Sequence, residues 1–317
     1  MTSNKDKLIH ATAAGNSLRC MAAVTTALVG EACRRHRTFP TASAALGRAL
    51  TGGLLLGRSL KDLEKITVQF QCDGPIGGII AQADAHGKVR GYVSNPDADV
   101  TEMNSRGKFD VKSVVGSGTL YVTRDAGFEI GLMKEPYRGS VPIVSGEIGE
   151  DLAYYLAKSE QINSAVGIGV LMTVDQADEE SATAEVAEFS LDRLRVAAAG
   201  GYIIQIMPSA DDDLVRQLEE TIASAPHPTH MIRSGATPTE ILAEVLGDMD
   251  LDVLEEIEPL FHCPCSKERA LQIVSSLGND EIEDMLQKDA GAELICHFCS
   301  EAYQITAPEL TEMLVAG

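Results

Sequence analysis

Two cysteine pairs, Cys263-Pro264-Cys265 and Cys296-His297-Phe298-Cys299, lie thirty residues apart in the last fifth of this 317-residue chain. Four soft thiolates at such spacings can converge on one point, which is what a tetrahedral Zn²⁺ site requires. His262 and His297 flank the pairs and could each replace a sulfur, although four thiolates already complete the set. The first pair is C-x-C rather than the commoner C-x₂-C. Taking two electrons from either pair turns ligands into a disulfide. Cys296 and Cys299 have the spacing that closes readily, whereas a Cys263–Cys265 ring would be small and strained, hence easily re-reduced. Cys20, Cys33 and Cys72 stand singly in apolar surroundings and read as small buried hydrophobes.

The elements that must position these sulfurs are short. Ser266 caps a helix expected to run to Leu277 and stop at Gly278. Asn279 is the expected cap of a second helix, with Asp280, Glu281 and Glu283 in its first turn and Gly291 at its end. Leu294-Ile295 leads into the second cysteine pair and Tyr303-Gln304-Ile305 returns, a hairpin knuckle. Thr306-Ala307-Pro308-Glu309 reads as a capping box opening a terminal helix. A unit of this size rarely gains more than ~3–5 kcal/mol from its core, whereas structural zinc in small peptides contributes roughly 10–16 kcal/mol. Metal occupancy is therefore expected to decide whether residues 259–317 fold.

The rest of the chain is acidic and α+β. The formal charge is −21, with a pI near 4.7, which argues against non-specific binding to nucleic acid or anionic membranes. The local cluster Arg34, Arg35, His36 and Arg37 reads as a solvated helix end. No run is long and apolar enough to span a membrane, and the polar residues 1–10 lack a signal-peptide core, so a reducing cytoplasmic setting is expected.

Helical patterning is expected over residues 16–60, broken at 38–41. Strands are expected at 66–72, 79–83, 89–93, 119–123, 166–174 and 202–207, with a helix over 149–159. Strands grouped with flanking helices favour an α+β core over a doubly wound sheet. This core is expected to span 1–208, with an acidic excursion at 175–195. Residues 211–258 then carry thirteen acidic side chains and two basic ones, Arg216 and Arg233. Two amphipathic helices are expected there (Leu214, Leu218, Ile222; then Ile241, Leu242, Val245, Leu246), the second opened by a Thr237–Glu240 capping box. A hinge at Ala225-Pro226-His227-Pro228 separates them. Crowded like charges make the order of this 209–258 linker depend on docking.

The motif Phe261-His262-Cys263-Pro264-Cys265-Ser266-Lys267-Glu268-Arg269, together with Cys296-His297-Phe298-Cys299, closely resembles the zinc module of the bacterial 33-kilodalton redox-regulated heat-shock chaperone family. Further blocks match in order, among them Arg34-Arg35-His36, Gly74-Pro75-Ile76-Gly77, Tyr92-Val93-Ser94-Asn95-Pro96, Ser159-Glu160-Gln161 and Gln205-Ile206-Met207-Pro208. The resemblance implies an ATP-independent holdase. In its reduced state Cys263, Cys265, Cys296 and Cys299 hold one zinc ion per chain. Oxidation pairs Cys263 with Cys265 and Cys296 with Cys299 and releases the ion. The module and linker then lose order, a homodimer is favoured, and unfolded or oxidatively damaged client proteins are captured. The 175–195 excursion departs from the family pattern. No acid–base pair, nucleophile constellation or phosphate loop was found, in keeping with a non-enzyme. Two other readings are a zinc-ribbon nucleic-acid-binding protein, disfavoured by the acidity, and a thiol–disulfide oxidoreductase using Cys296 and Cys299. The latter would normally sit at a helix N-terminus.

Overall fold

A computed structural model of the chain describes residues 5–100, 109–125, 136–174 and 191–316. Its contacts divide between Phe261 and His262 into a large first unit and a small second one, each with its own core.

The first unit opens with a hairpin, β1 (Lys7–Ala13) and β2 (Leu18–Val24), turned through Ala14, Gly15 and Asn16, which all have positive φ. Helices α1 (Thr26–His36) and α2 (Pro40–Gly57) follow, so the break at 38–41 is observed but helix over 16–24 is not. The cause is burial on both faces. Leu8, Met21 and Ala23 point into one core and Ile9, Ala11, Cys20 and Ala22 into another. A strand buried on both sides loses the apolar–polar alternation by which strands are recognised, and the alanines left behind favour helix.

The chain continues through β3 (Lys65–Cys72), β4 (Gly78–Asp84), β5 (Lys88–Val93), α3 (Val111–Val115), β6 (Gly118–Asp125), β7 (Tyr137–Pro142), α4 (Gly149–Lys158) and β8 (Ser164–Val174). A 3₁₀ turn at Leu191–Arg193 leads into β9 (Leu194–Ile206). The expected strands and the helix at 149 are present; α3 and β7 were not anticipated, and β9 starts well before residue 202. Of the 175–195 excursion, residues 175–190 lie outside the described residues.

The acidic segment holds α5 (Asp212–Ser224), α6 (Pro228–Arg233) and α7 (Pro238–Leu246), then β10 (Leu251–Ile257) and β11 (Leu260–Phe261). Two local expectations change. Pro228 is not hinge but the first residue of α6, with His227 as its cap. Residues 251–257 are strand.

Among the described residues the first unit has two main sheets. One runs β10-β1-β2-β9-β8, antiparallel throughout; the other runs β11-β5-β4-β3-β6-β7, with β11 parallel to β5. Helix α2 packs against strands of both sheets and is buried along its whole length, as a helix apolar on every side must be. Helices α5 to α7 cover the other face of the five-stranded sheet, where Leu218, Ile232, Ile241, Leu242, Val245 and Leu246 join Ile9, Ala11, Cys20 and Ile204. Glycines set how closely α6 approaches: a Cβ at Gly169 would lie 2.4 Å from the His227 ring, and one at Gly200 2.5 Å from Ile232. None of the described helices is long and apolar enough to cross a membrane.

The second unit holds α8 (Lys267–Ser275), α9 (Asn279–Lys288), the hairpin β12 (Gly291–Ile295) and β13 (Ala302–Thr306), and α10 (Ala307–Ala316). Gly278, with φ 97°, occupies the capping position expected for Asn279, and Gly291 opens a strand rather than closing a helix. Its fully buried apolar core comprises Val274, Ile282, Ile305 and Leu310.

Candidate metal centre

Cys263 and Cys265 stand on the irregular stretch just before α8, whose start is fixed by Ser266 accepting from the Arg269 amide at 3.3 Å. Cys296 to Cys299 form the turn between β12 and β13. In that turn the Cys296 amide donates to the Glu301 carbonyl at 2.9 Å, and the Ser300 amide to the Cys296 carbonyl at 2.7 Å. These backbone hydrogen bonds close the turn that carries two of the sulfurs, and the capped start of α8 fixes the end of the stretch that carries the other two. All four Sγ atoms lie within 4.8 Å of one another, with Cys263 3.7 Å from Cys296 and Cys265 3.3 Å from Cys299. Neither His262 nor His297 belongs to this cluster among the described residues.

The dimensions fit a tetrahedral ion. Sulfurs about 2.3 Å from a common centre lie about 3.8 Å apart, close to the spacings observed. The electrostatics also fit. Burial, followed by neighbouring sulfurs, pushes the Cys299 thiol well above its ordinary range, and burial likewise raises Cys296. The two cations nearest in sequence are directed elsewhere: Lys267 to Glu309 at 2.6 Å and Arg269 to the Pro264 carbonyl. A divalent cation would reverse these shifts by stabilising thiolate directly. Cys296 follows a strand rather than opening a helix, where the nucleophile of thiol–disulfide exchange would normally sit.

One participant was not anticipated. The Tyr303 hydroxyl donates to Cys265 Sγ at 3.1 Å, so a ligating sulfur would carry the outer hydrogen bond that orients and tunes metal sites. Of the expected Thr306–Glu309 capping box one half is seen: the Glu309 carboxylate accepts from the Thr306 amide at 2.8 Å and from its hydroxyl at 2.9 Å. That carboxylate is also the partner of Lys267, and Lys267 followed by Thr306 hold its pKa down to about 2. The pair ties the start of α8 to the start of α10 around the sulfurs.

The remaining cysteines lie apart from this cluster. Cys20 and Cys33 are buried and Cys72 half-buried, and burial raises all three thiols. The basic residues at the end of α1 make a helix end, with Arg34 and Arg35 both paired to Glu31.

A large two-sheet α+β unit followed by a small unit built around four convergent thiols defines a class of protein with a sulfur-lined module that could hold a metal ion. The comparisons agree. The family model described as "Hsp33 protein" matches residues 6–306. The 33 kDa chaperonin of Bacillus subtilis is 45% identical over 306 residues, 96% of this chain and 97% of that protein. The 33 kDa chaperonin of Shouchella clausii is 45% identical over 311 residues, covering 98% and 97% of the two chains. The crystal structure of the 33 kDa chaperonin, a heat shock protein 33 homologue, from Thermotoga maritima superposes with a TM-score of 0.83 at 33% identity, covering 99% of this chain and 98% of that one. The chain belongs to the Hsp33 family of chaperones.

Proposed function

We propose that this chaperone is an ATP-independent holdase whose activity is set by the redox state of Cys263, Cys265, Cys296 and Cys299. The observation that carries the reading is the convergence of these four sulfurs in a unit whose own apolar core is very small. In the reduced state they hold one Zn²⁺. When bound, the ion supplies the positive charge that lets four thiolates, one buried and three half-buried, stand side by side. Peroxide consumes the donors: each cysteine pair gives two electrons to one peroxide, which takes up two protons and leaves as two waters. The family resemblance assigns the disulfides as Cys263 with Cys265 and Cys296 with Cys299. With all sulfurs within 4.8 Å, distance selects no pairing, and peptide mapping of the oxidised protein decides it.

Without its donors the second unit retains a core too small to hold it folded, and order is lost there and in the 209–258 linker. Release of α5 to α7 uncovers Ile9, Ala11, Cys20 and Ala22 on the sheet beneath, apolar surface suited to unfolded or oxidatively damaged proteins. A homodimer is the expected active form, and the cytoplasm the expected setting. Light scattering from a heat-aggregating client, with reduced and peroxide-treated chaperone compared, tests the reading. Suppression should appear with oxidation, alongside zinc release and loss of four free thiols. Equal suppression by both forms would rule out the switch.

A further inference from the structure

The five-stranded sheet ends on β10, whose ladder neighbour is β1. Strand β10 differs in character from the strands inside the sheet. Asp252, Val253, Leu254, Glu255 and Glu256 are all exposed. The register slips between His10 and Ala11, which pair with Glu255 and Val253, so that Leu254 has no partner in the ladder. Charge reinforces the pairing. Lys7 meets Glu256 at 2.7 Å, Lys5 meets Glu258 at 3.8 Å, and Arg58, at the end of α2, meets Glu255. In a chain of net charge −21, one edge of β1 is thus lined by cations, and the strand seated on it supplies matching carboxylates.

We propose that β10 is a replaceable strand, and that once it has left, the vacated edge of β1 takes an extended client segment in its place, preferring segments in which acidic and apolar side chains are interspersed. A freed edge presents a row of backbone donors and acceptors that any extended chain can satisfy, which suits a chaperone that must accept many sequences. Lys5, Lys7 and Arg58 add the preference for acid. Oxidative release of β10 rests on the function proposed above; the edge itself does not.

The test uses the full-length protein and a fluorescein-labelled peptide of residues 249–259, read by polarisation. Reduced wild type, with β10 seated, should not bind it. Oxidised wild type should bind, as should reduced Asp252→Pro: the Ala14 amide donates to the Asp250 carbonyl at 3.0 Å, so by alternation along the ladder the Asp252 amide, opposite Thr12, also faces β1, and proline removes that donor. Should Asp252→Pro not fold, Glu256→Lys, which opposes Lys7 with a like charge, is read in the same way. Lys7→Glu in the oxidised protein, or replacement of the peptide's carboxylates by lysines, should weaken binding about tenfold or more, as expected when complementary charges become like charges. Binding by Asp252→Pro without binding by the oxidised wild type would uphold the edge and overturn the redox reading. Aggregation suppression by oxidised protein that binds no peptide would overturn the edge. So would peptide binding that vanishes as protein concentration rises and dimer forms, since a second copy would then be the occupant.

Discussion

Replacing Gly169 by alanine tests how the linker is held down. The added Cβ would lie 2.4 Å from Cε1 of His227 and 2.7 Å from Cγ2 of Thr229, where ordinary contact begins at 3.4 Å, so about 1 Å of movement is needed. The imidazole has little freedom to move. Its Nδ1 lies 2.8 Å from the Thr229 hydroxyl and accepts from the Thr229 amide at 3.3 Å, capping α6. Swinging the ring away loses a cap worth about 1 kcal/mol, and lifting α6 loses its seat on the sheet. Overpacking of this kind costs about 1–3 kcal/mol, which multiplies the opening equilibrium of α6 roughly five- to 150-fold. Hydrogen exchange of amides 230–233 in reduced, zinc-loaded protein should accelerate within that range, and the reduced protein should gain measurable suppression of client aggregation. The control is Gly30→Ala in α1, where nothing lies within 4 Å of the new Cβ; it should leave α6 unchanged and add up to about 1 kcal/mol to stability. Unaltered exchange in Gly169→Ala would refute close packing on Gly169 as the restraint on the linker.

Other outcomes follow from the second unit and from β1. Tyr303→Phe removes the hydrogen bond to Cys265 and should weaken zinc about tenfold or more in competition with a chromophoric chelator, with the far-UV spectrum of the loaded protein unchanged. Leu310→Ala empties part of a core of four buried side chains and should cost about 2–5 kcal/mol, so that the zinc-loaded second unit unfolds at a lower chelator concentration than wild type, as read by circular dichroism during a chelator titration. His10 has its pKa lowered by burial first and then by Arg58 and Arg19, with Glu255 opposing. The unfolded chain therefore takes up a proton near pH 6.5 more readily than the folded one. Stability should fall as pH drops below that value, and His10→Gln should flatten the slope of urea midpoints between pH 7.5 and 5.5.

The parts of the fold written in local patterns were legible, and those set by tertiary context were not. The cysteine pairs announce themselves because ligand spacing is a local signal, and the Thr237–Glu240 box forms with both hydrogen bonds expected of it. The glycine turn at 73–75 and the alternation of Ile66, Val68 and Phe70 likewise gave β3, whose apolar residues face one core. The β1–β2 hairpin was hidden because both of its faces are covered. Strand β10 was hidden for the opposite reason: acidic residues are poor strand formers, but at a sheet edge they stay in water, where charge is tolerated and guards against aggregation. Tyr303 could not be singled out because its role depends on the register of β12 with β13, which sets it against Leu294 and brings its hydroxyl to Cys265.

One stretch of backbone, from Leu251 to Phe261, supplies a border strand to each of the two main sheets: β10 beside β1, then β11 beside β5, with Phe261 held under the Arg35 guanidinium at 5.7 Å. Because the two ladders share a single covalent thread, neither can fray far without pulling on the other. The sheets are therefore thermodynamically yoked at their margins, so a spectroscopic reporter on β5 should register departure of β10 from β1 in the same concerted transition.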